Sequence, residues 1–257
     1  MTTVDTAEVY GLYEVEERLG AAFRARRGLR ERLQIVTKCG IYVPVARHPE
    51  RKVAHYNATR ERIIKSAEKS LRLLGTDRLD LLLIHRPDWL ASADETAAGL
   101  ERLLADGKIL SAGVSNYDVG QLETLQSRMS RPLCTNQVEL SLFHREPLAD
   151  GSLSQCERLR MKPMAWSPLG GGRLFREDDV VAARIREACA ELAPSYSGAS
   201  VEALAIAWIL ALPAEPLVVI GTNKLERVRA AAEAASLRLA REDWYRLWEA
   251  AAGRRVP

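Results

Sequence analysis

Short apolar runs rich in β-branched residues alternate with longer amphipathic stretches along this chain, and that alternation constrains its fold more than any other feature. Seven runs read as strands, at 2–5, 33–38, 79–85, 109–115, 134–139, 162–167 and 217–221. Helices are expected at 14–26, 59–74, 93–105, 118–128, 152–160, 179–192, 201–212, 224–235 and 241–251. Such an order is the signature of repeated βα units around a parallel sheet. The helical reading rests on period. Ile63, Ala67, Ser70, Leu71 and Leu74 fall three and four apart, leaving Arg60, Glu61, Lys65 and Lys69 for solvent, with Thr59 as N-cap and Gly75 as the stop. Leu81-Leu82-Leu83-Ile84 is too uniformly apolar for a strand with one solvated face, and suits a strand covered on both.

The 257 residues are many for one domain, yet α/β barrels run to about 250 residues undivided. No Ser/Gly linker or low-complexity tract interrupts the chain, so residues 1–257 read as a single domain. Lys and Arg number 37 against 34 Asp and Glu, interspersed as in Glu16-Glu17-Arg18. That balance gives no footprint for nucleic acid or a membrane surface, and neither partner is expected. Cys39, Cys134, Cys156 and Cys189 are scattered, without C-x-x-C or histidines at zinc spacing, so reduced structural thiols and no metal are expected. The first residues lack an export signal, and no apolar run reaches the ~18 residues of a membrane span. A cytoplasmic protein is expected.

In βα barrels the loops after the strands converge on one face, so side chains at the carboxyl ends of strands share a pocket. The first run ends at Asp5 and leads through Thr6-Ala7-Glu8-Val9 to Tyr10-Gly11. The second ends in Thr37-Lys38 and the third in Ile84-His85-Arg86-Pro87-Asp88. Taken singly, Asp5 is equally a turn cap, Lys38 a solvated strand end, Tyr10 a half-buried aromatic and His85 a core histidine. Their recurrence at three successive strand ends argues for a site.

The motifs D-x-A-x-x-Y-G, T-K, D-L-x-L-I-H-x-P-D and G-V-S-N, in that order, resemble the defining motifs of the aldo-keto reductases of bacterial oxidoreductase type. The resemblance runs to about Leu239. It implies an α/β fold, the (β/α)8 TIM-type barrel, and NADPH-dependent reduction of aldehydes or ketones to alcohols by hydride transfer. Carried onto this chain, it makes Tyr10 the general acid, Lys38 and Asp5 its tuning pair, and His85 the group that orients the small-molecule carbonyl substrate. The chemistry is coherent. A free phenol, with a pKa of about 10, exchanges protons poorly at neutrality, and an ammonium beside it favours the phenolate. A carboxylate keeps that ammonium charged when buried, and two donors aimed at a carbonyl oxygen stabilise the transition state over the substrate.

No strand is followed by G-x-G-x-x-G, so a Rossmann-type site is not expected. Later strand ends carry Ser115-Asn116, Asn136-Gln137, Trp166-Ser167-Pro168-Leu169-Gly170 and Gly221-Thr222-Asn223. The resemblance implies that Ser115, Asn116 and Gln137 hold the nicotinamide carboxamide while the ring stacks on Trp166, where many relatives carry tyrosine. It sets the loop from Leu169 through Gly170 and Gly172 to Arg173 along the pyrophosphate and Thr222, Asn223 and Arg227 at the adenosine end, and counts Ser167 and Gly221 among the cofactor-binding residues. Lys224 adds positive charge there, which suits a 2′-phosphate and hence NADPH over NADH. Read alone, Trp166 is equally a core aromatic, Ser115 and Gln137 equally bond within the barrel end, and Arg227 is equally a solvated charge. Ala231 stands near where many relatives place an asparagine.

Measured against that family, the chain begins inside the second strand. A first strand and helix of roughly forty residues are therefore expected to be absent, leaving an N-terminally truncated barrel of about seven parallel strands. Exposed strand edges, low stability and weak activity follow from that expectation. The stretch 39–55, with Tyr42, Pro44, His48 and His55, is long for a βα loop and reads either as a specificity loop or as plain surface. Two other classes stay open: a nicotinamide-binding sensor or regulatory protein, and an inactive truncated remnant. The oligomeric state and the particular carbonyl compound are not written in the residues.

Overall fold

Each of the seven apolar runs forms a strand, and the strands pair in parallel in two compact units, Met1–Asn136 and the chain from Gln137 onward. This computed structural model describes residues 1–222 and 224–256.

The first unit runs β1 (Thr3–Asp5), a left-handed turn α1 (Tyr10–Tyr13), α2 (Val15–Ala25), β2 (Gln34–Cys39), a hairpin of β3 (Ile41–Tyr42) and β4 (His55–Tyr56), α3 (Arg60–Leu74), β5 (Leu79–Ile84), α4 (Ala93–Ala105), β6 (Ile109–Ser115) and α5 (Val119–Gln126). Its parallel strands lie in the order β1-β2-β5-β6. Asp5 is opposite Val36, Lys38 opposite Leu83, and Ile84 opposite Val114, so the strands end level with one another. Leu82, Leu83 and Ile84 are consecutive and all fully buried, as only a strand covered on both faces permits.

α3 buries Ile63, Ala67, Ser70, Leu71 and Leu74, the stripe its period predicts, and Ser66 with them. It ends at Gly75, whose φ of 67° suits glycine. Thr59 stands at the N-cap position as expected, with extended backbone and its carbonyl accepting from the Ile63 amide at 3.0 Å, but its hydroxyl donates to Asn57 Oδ1 at 2.7 Å and makes no capping bond to a helix amide. One expectation for this helix is corrected. Lys69 is half-buried rather than solvated, drawn inward by an acid on the strand-end loop. α4 and α5 are capped by Ser92 and by a box of Asp118 with Gln121, which satisfy amides that the helix cannot. α2 crosses α3 at Gly20, where a Cβ would stand 2.0 Å from the Leu73 carbonyl oxygen. The stretch after Cys39 is not wholly irregular, since β3 and β4 pair antiparallel within it.

The second unit runs β7 (Asn136–Glu139, whose first residue closes the first unit), α6 (Ser152–Arg158), β8 (Met164–Trp166), α7 (Val180–Leu192), α8 (Val201–Leu210), β9 (Leu217–Val218), α9 (Leu225–Ala234) and α10 (Arg241–Ala252), with strand order β7-β8-β9. α8 is buried from Ala203 to Ile209, all round its circumference, as its unbroken apolar sequence requires. Trp208 stacks on Trp244 with centroids 4.9 Å apart, and each indole N–H donates to the other residue's carbonyl, at 3.1 and 2.8 Å. Trp208 is thereby fully buried, and Trp244 half-buried, without stranding either indole N–H. Among the described residues no helix is long and apolar enough to cross a membrane, and no group of three or more His, Cys, Asp or Glu could hold a metal ion.

Candidate active site

The level strand ends of the first unit bring Asp5, Tyr10, Lys38 and His85 together. Lys38 lies near the end of β2 with its side chain fully buried. Its ammonium donates to Asp5 Oδ2 at 2.6 Å, to the Thr6 carbonyl at 2.9 Å and to the Tyr10 hydroxyl at 3.2 Å. It also stands 4.8 Å from the centre of the Tyr10 ring. Three acceptors compensate the desolvation of a buried cation, which would otherwise be prohibitive. The contribution of Thr6 comes from its backbone, and no residue-type pattern announces it.

Tyr10 is the exposed member, with 37% of its surface accessible. Its oxygen accepts from Lys38, so its own proton is directed to another acceptor. The ring meets His85 edge-on, with centroids 5.7 Å apart at 75°. His85 follows β5, and its backbone N–H donates to the Cys39 carbonyl at 2.9 Å. Burial, then the charges of Lys38 and Arg86, hold its imidazole pKa down at about 3, so the ring is neutral under ordinary conditions. Its Nδ1 is buried with no partner among the described residues.

Next to these, Ser115 is buried, and Asn116 donates to the Ser115 hydroxyl at 2.8 Å and to the His85 carbonyl at 3.3 Å. Asn116 has a φ of 59°, a conformation asparagine tolerates better than most residues.

In the second unit Gln137 is buried beside the Met164 sulfur, and half-buried Trp166 closes β8. Ser167 and Leu169 then lead into Gly170-Gly171-Gly172, all at positive φ. A Cβ at Gly170 would strike the Phe143 ring at 2.5 Å, whereas Gly171 and Gly172 face open space. Arg173 rests on Phe143 and donates through Nε to Asp179 at 2.8 Å, and this bond holds the Asp179 carboxyl below its usual range. Gly221 is exposed, and the Thr222 hydroxyl accepts from the Lys224 amide. Arg227 lies over Phe175 at 5.0 Å and remains exposed. Asn223 lies outside the described residues.

Behind Tyr10 is a polar cluster that sequence reasoning missed. Glu16 is buried, accepting from Thr37 at 2.6 Å and Ser70 at 3.0 Å, and desolvation raises its pKa. Glu8 is buried too, and Lys69 donates to it at 3.3 Å. Tyr13 is 2% exposed between Lys69 and Arg51, whose charged groups stand 5.0 and 4.9 Å from its ring centre. Helical period alone sends Lys69 to solvent. Only its tertiary neighbours turn it inward.

A model of the aldo/keto reductase family matches residues 1–252. The chain belongs to that family. This aldo/keto reductase is 49% identical over 257 residues to Oxidoreductase YdhF of Escherichia coli (strain K12), covering 100% of this chain and 85% of YdhF. It is 44% identical over 256 residues to a 6-dehydroglucose reductase of Agrobacterium fabrum, covering 100% of this chain and 85% of that relative. The crystal structure of an aldo/keto reductase from Klebsiella pneumoniae in complex with NADP and acetate superposes with a TM-score of 0.77 at 30% identity, covering 96% of this chain and 79% of that one. The protein is an oxidoreductase with the TIM-type (β/α) fold of its family.

Proposed function

We propose that residues 1–257 act as one reductase domain that converts aldehydes or ketones to alcohols with NADPH, using Tyr10 as the general acid. The observation that carries this reading is the buried Lys38 ammonium shared by Asp5 and the Tyr10 hydroxyl. Bound NADPH supplies a hydride to the carbonyl carbon. As that C–H bond forms, the carbon–oxygen π pair withdraws onto oxygen, and Tyr10 gives its proton there. Lys38 stabilises the phenolate left behind, and Asp5 keeps the ammonium in register. Neutral His85 offers the oxygen a second hydrogen bond, a role that its low pKa, which keeps the ring uncharged, favours.

The residues present suit the dinucleotide. Gly171 and Gly172 leave room for a close backbone approach, and Ser115, Asn116 and Gln137 supply amide and hydroxyl groups of the kind a carboxamide pairs with. Trp166 would stack on the ring, Ser167, Leu169, Gly170 and Arg173 would follow the pyrophosphate, and Gly221, Thr222, Asn223 and Arg227 would take the adenosine end. The NADP complex of the Klebsiella protein supports this choice. The Agrobacterium relative is named a 6-dehydroglucose reductase, so 6-dehydroglucose belongs at the head of the substrate panel.

The test is Tyr10→Phe, assayed by NADPH oxidation with a panel of aldehydes and ketones. Loss of a general acid is expected to lower kcat by about 100-fold or more, with NADPH binding, read by tryptophan fluorescence, unchanged. Retention of full activity by this variant would remove the mechanism.

A further inference from the structure

The chain turns sharply just after Tyr10. Gly11, Leu12 and Tyr13 follow one another at φ values of 56°, 55° and 73°. Glycine adopts that region freely, but Leu12 and Tyr13 do not, and two such residues in succession persist only where the surroundings hold them. Leu12 is 64% exposed and holds nothing. The restraint therefore falls on Tyr13. Its hydroxyl accepts from the Val43 amide at 3.0 Å and donates to the Ile41 carbonyl at 3.3 Å. Its carbonyl accepts from Arg47 at 3.3 Å, and its ring packs edge-on against His48 at 4.9 Å. All four residues belong to the segment that follows β2. The same ring bears Arg51 and, from α3, Lys69, which grips Glu8 on the other side of Tyr10. The Glu8 amide in turn donates to the Lys38 carbonyl at 3.0 Å.

We propose that Tyr13 is a positioning residue: its buried hydroxyl ties the left-handed turn to the 41–51 segment and so fixes how Tyr10 meets Lys38. The inference rests on the function given above for Tyr10. It makes the 41–51 segment a partner of the proton donor rather than a loop that contacts substrate alone. A shift of that segment by a fraction of its hydrogen-bond length is passed through Tyr13 to the backbone that carries Tyr10, because three left-handed residues leave the turn no slack.

The experiment compares Tyr13→Phe with Tyr10→Phe and Tyr196→Phe. Tyr13→Phe keeps the ring and removes only the tether. Tyr196 likewise donates through its hydroxyl, to Asp243, and accepts from an amide, that of Ala240, in the second unit. Tyr13→Phe is expected to lower kcat about tenfold while the NADPH dissociation constant changes less than about twofold, and to raise the solvent deuterium isotope effect on kcat. Tyr196→Phe is expected to lower Tm and leave kcat and the isotope effect as they were. Should Tyr13→Phe fail to fold, Arg47→Ala, which removes a half-exposed side chain from the same link, is expected to raise the isotope effect in the same way. Full kcat with an unchanged isotope effect in Tyr13→Phe, or an equal loss of kcat in Tyr196→Phe, overturns the proposal while Tyr10→Phe remains inactive. Full activity in Tyr10→Phe overturns the underlying mechanism instead.

Discussion

Two cations, Lys38 and Arg86, face the imidazole of His85, and their repulsion adds to its burial in keeping the ring unprotonated. The folded value of about 3 lies well below the ordinary histidine value of about 6.5. Between those limits the unfolded chain binds a proton that the folded chain refuses, so stability from this residue is complete above the unfolded value and is lost as pH falls. At pH 4 the loss approaches ~3 kcal/mol before solvent screening reduces it. Urea titrations are expected to show His85→Gln losing less stability than the parent between pH 7 and pH 4. Equal losses would mean that the ring is protonated in the fold. Asp5, Tyr10, Lys38 and His85 were legible in the sequence because each sits at or just past a strand end, where backbone direction alone decides what converges. Tyr13, Glu8 and Lys69 were not, because their roles depend on packing between segments far apart in the chain.

Among the elements, the seven strands were legible because each is an apolar run with its own boundary. The two-residue strands β3 and β4 are too short to carry a period, and the left-handed turn at Gly11–Tyr13 has a glycine signal at one position of three. The crossing of α2 and α3 was equally invisible, although it depends on one residue. At Gly20 the obstacles to a side chain are the backbone of Leu73 and Leu74, which cannot move unless the helices part. Gly20→Ala is therefore expected to destabilise the protein by about 2–3 kcal/mol. At Gly28 a Cβ meets nothing, and Gly28→Ala should cost only the ~1 kcal/mol of its left-handed backbone. Urea midpoints of the two variants check the contrast, and equal values would refute the tight crossing.

For the molecule as a whole, alternation of strand and helix and burial on both strand faces were enough to read a parallel α/β fold. The partition near residue 136 was not legible, since no linker composition marks it and it follows from contacts alone. The partition has an optical counterpart. Trp89 is the one tryptophan before residue 137 and is 80% exposed, whereas Trp208 is fully buried and stacked on Trp244. Near-ultraviolet circular dichroism is expected to be dominated by the stacked indoles and to vanish when the second unit melts, and Trp208→Phe should abolish most of it. Persistence of the signal in that variant would contradict the stacking.

Trp89, solvated already in the native state, emits at long wavelength whether the chain is folded or not. Four residues beyond His85, it acts as a built-in dye whose colour changes only when something settles on the loop after β5, so ligand titration and thermal melting can be followed in separate spectral channels of one sample.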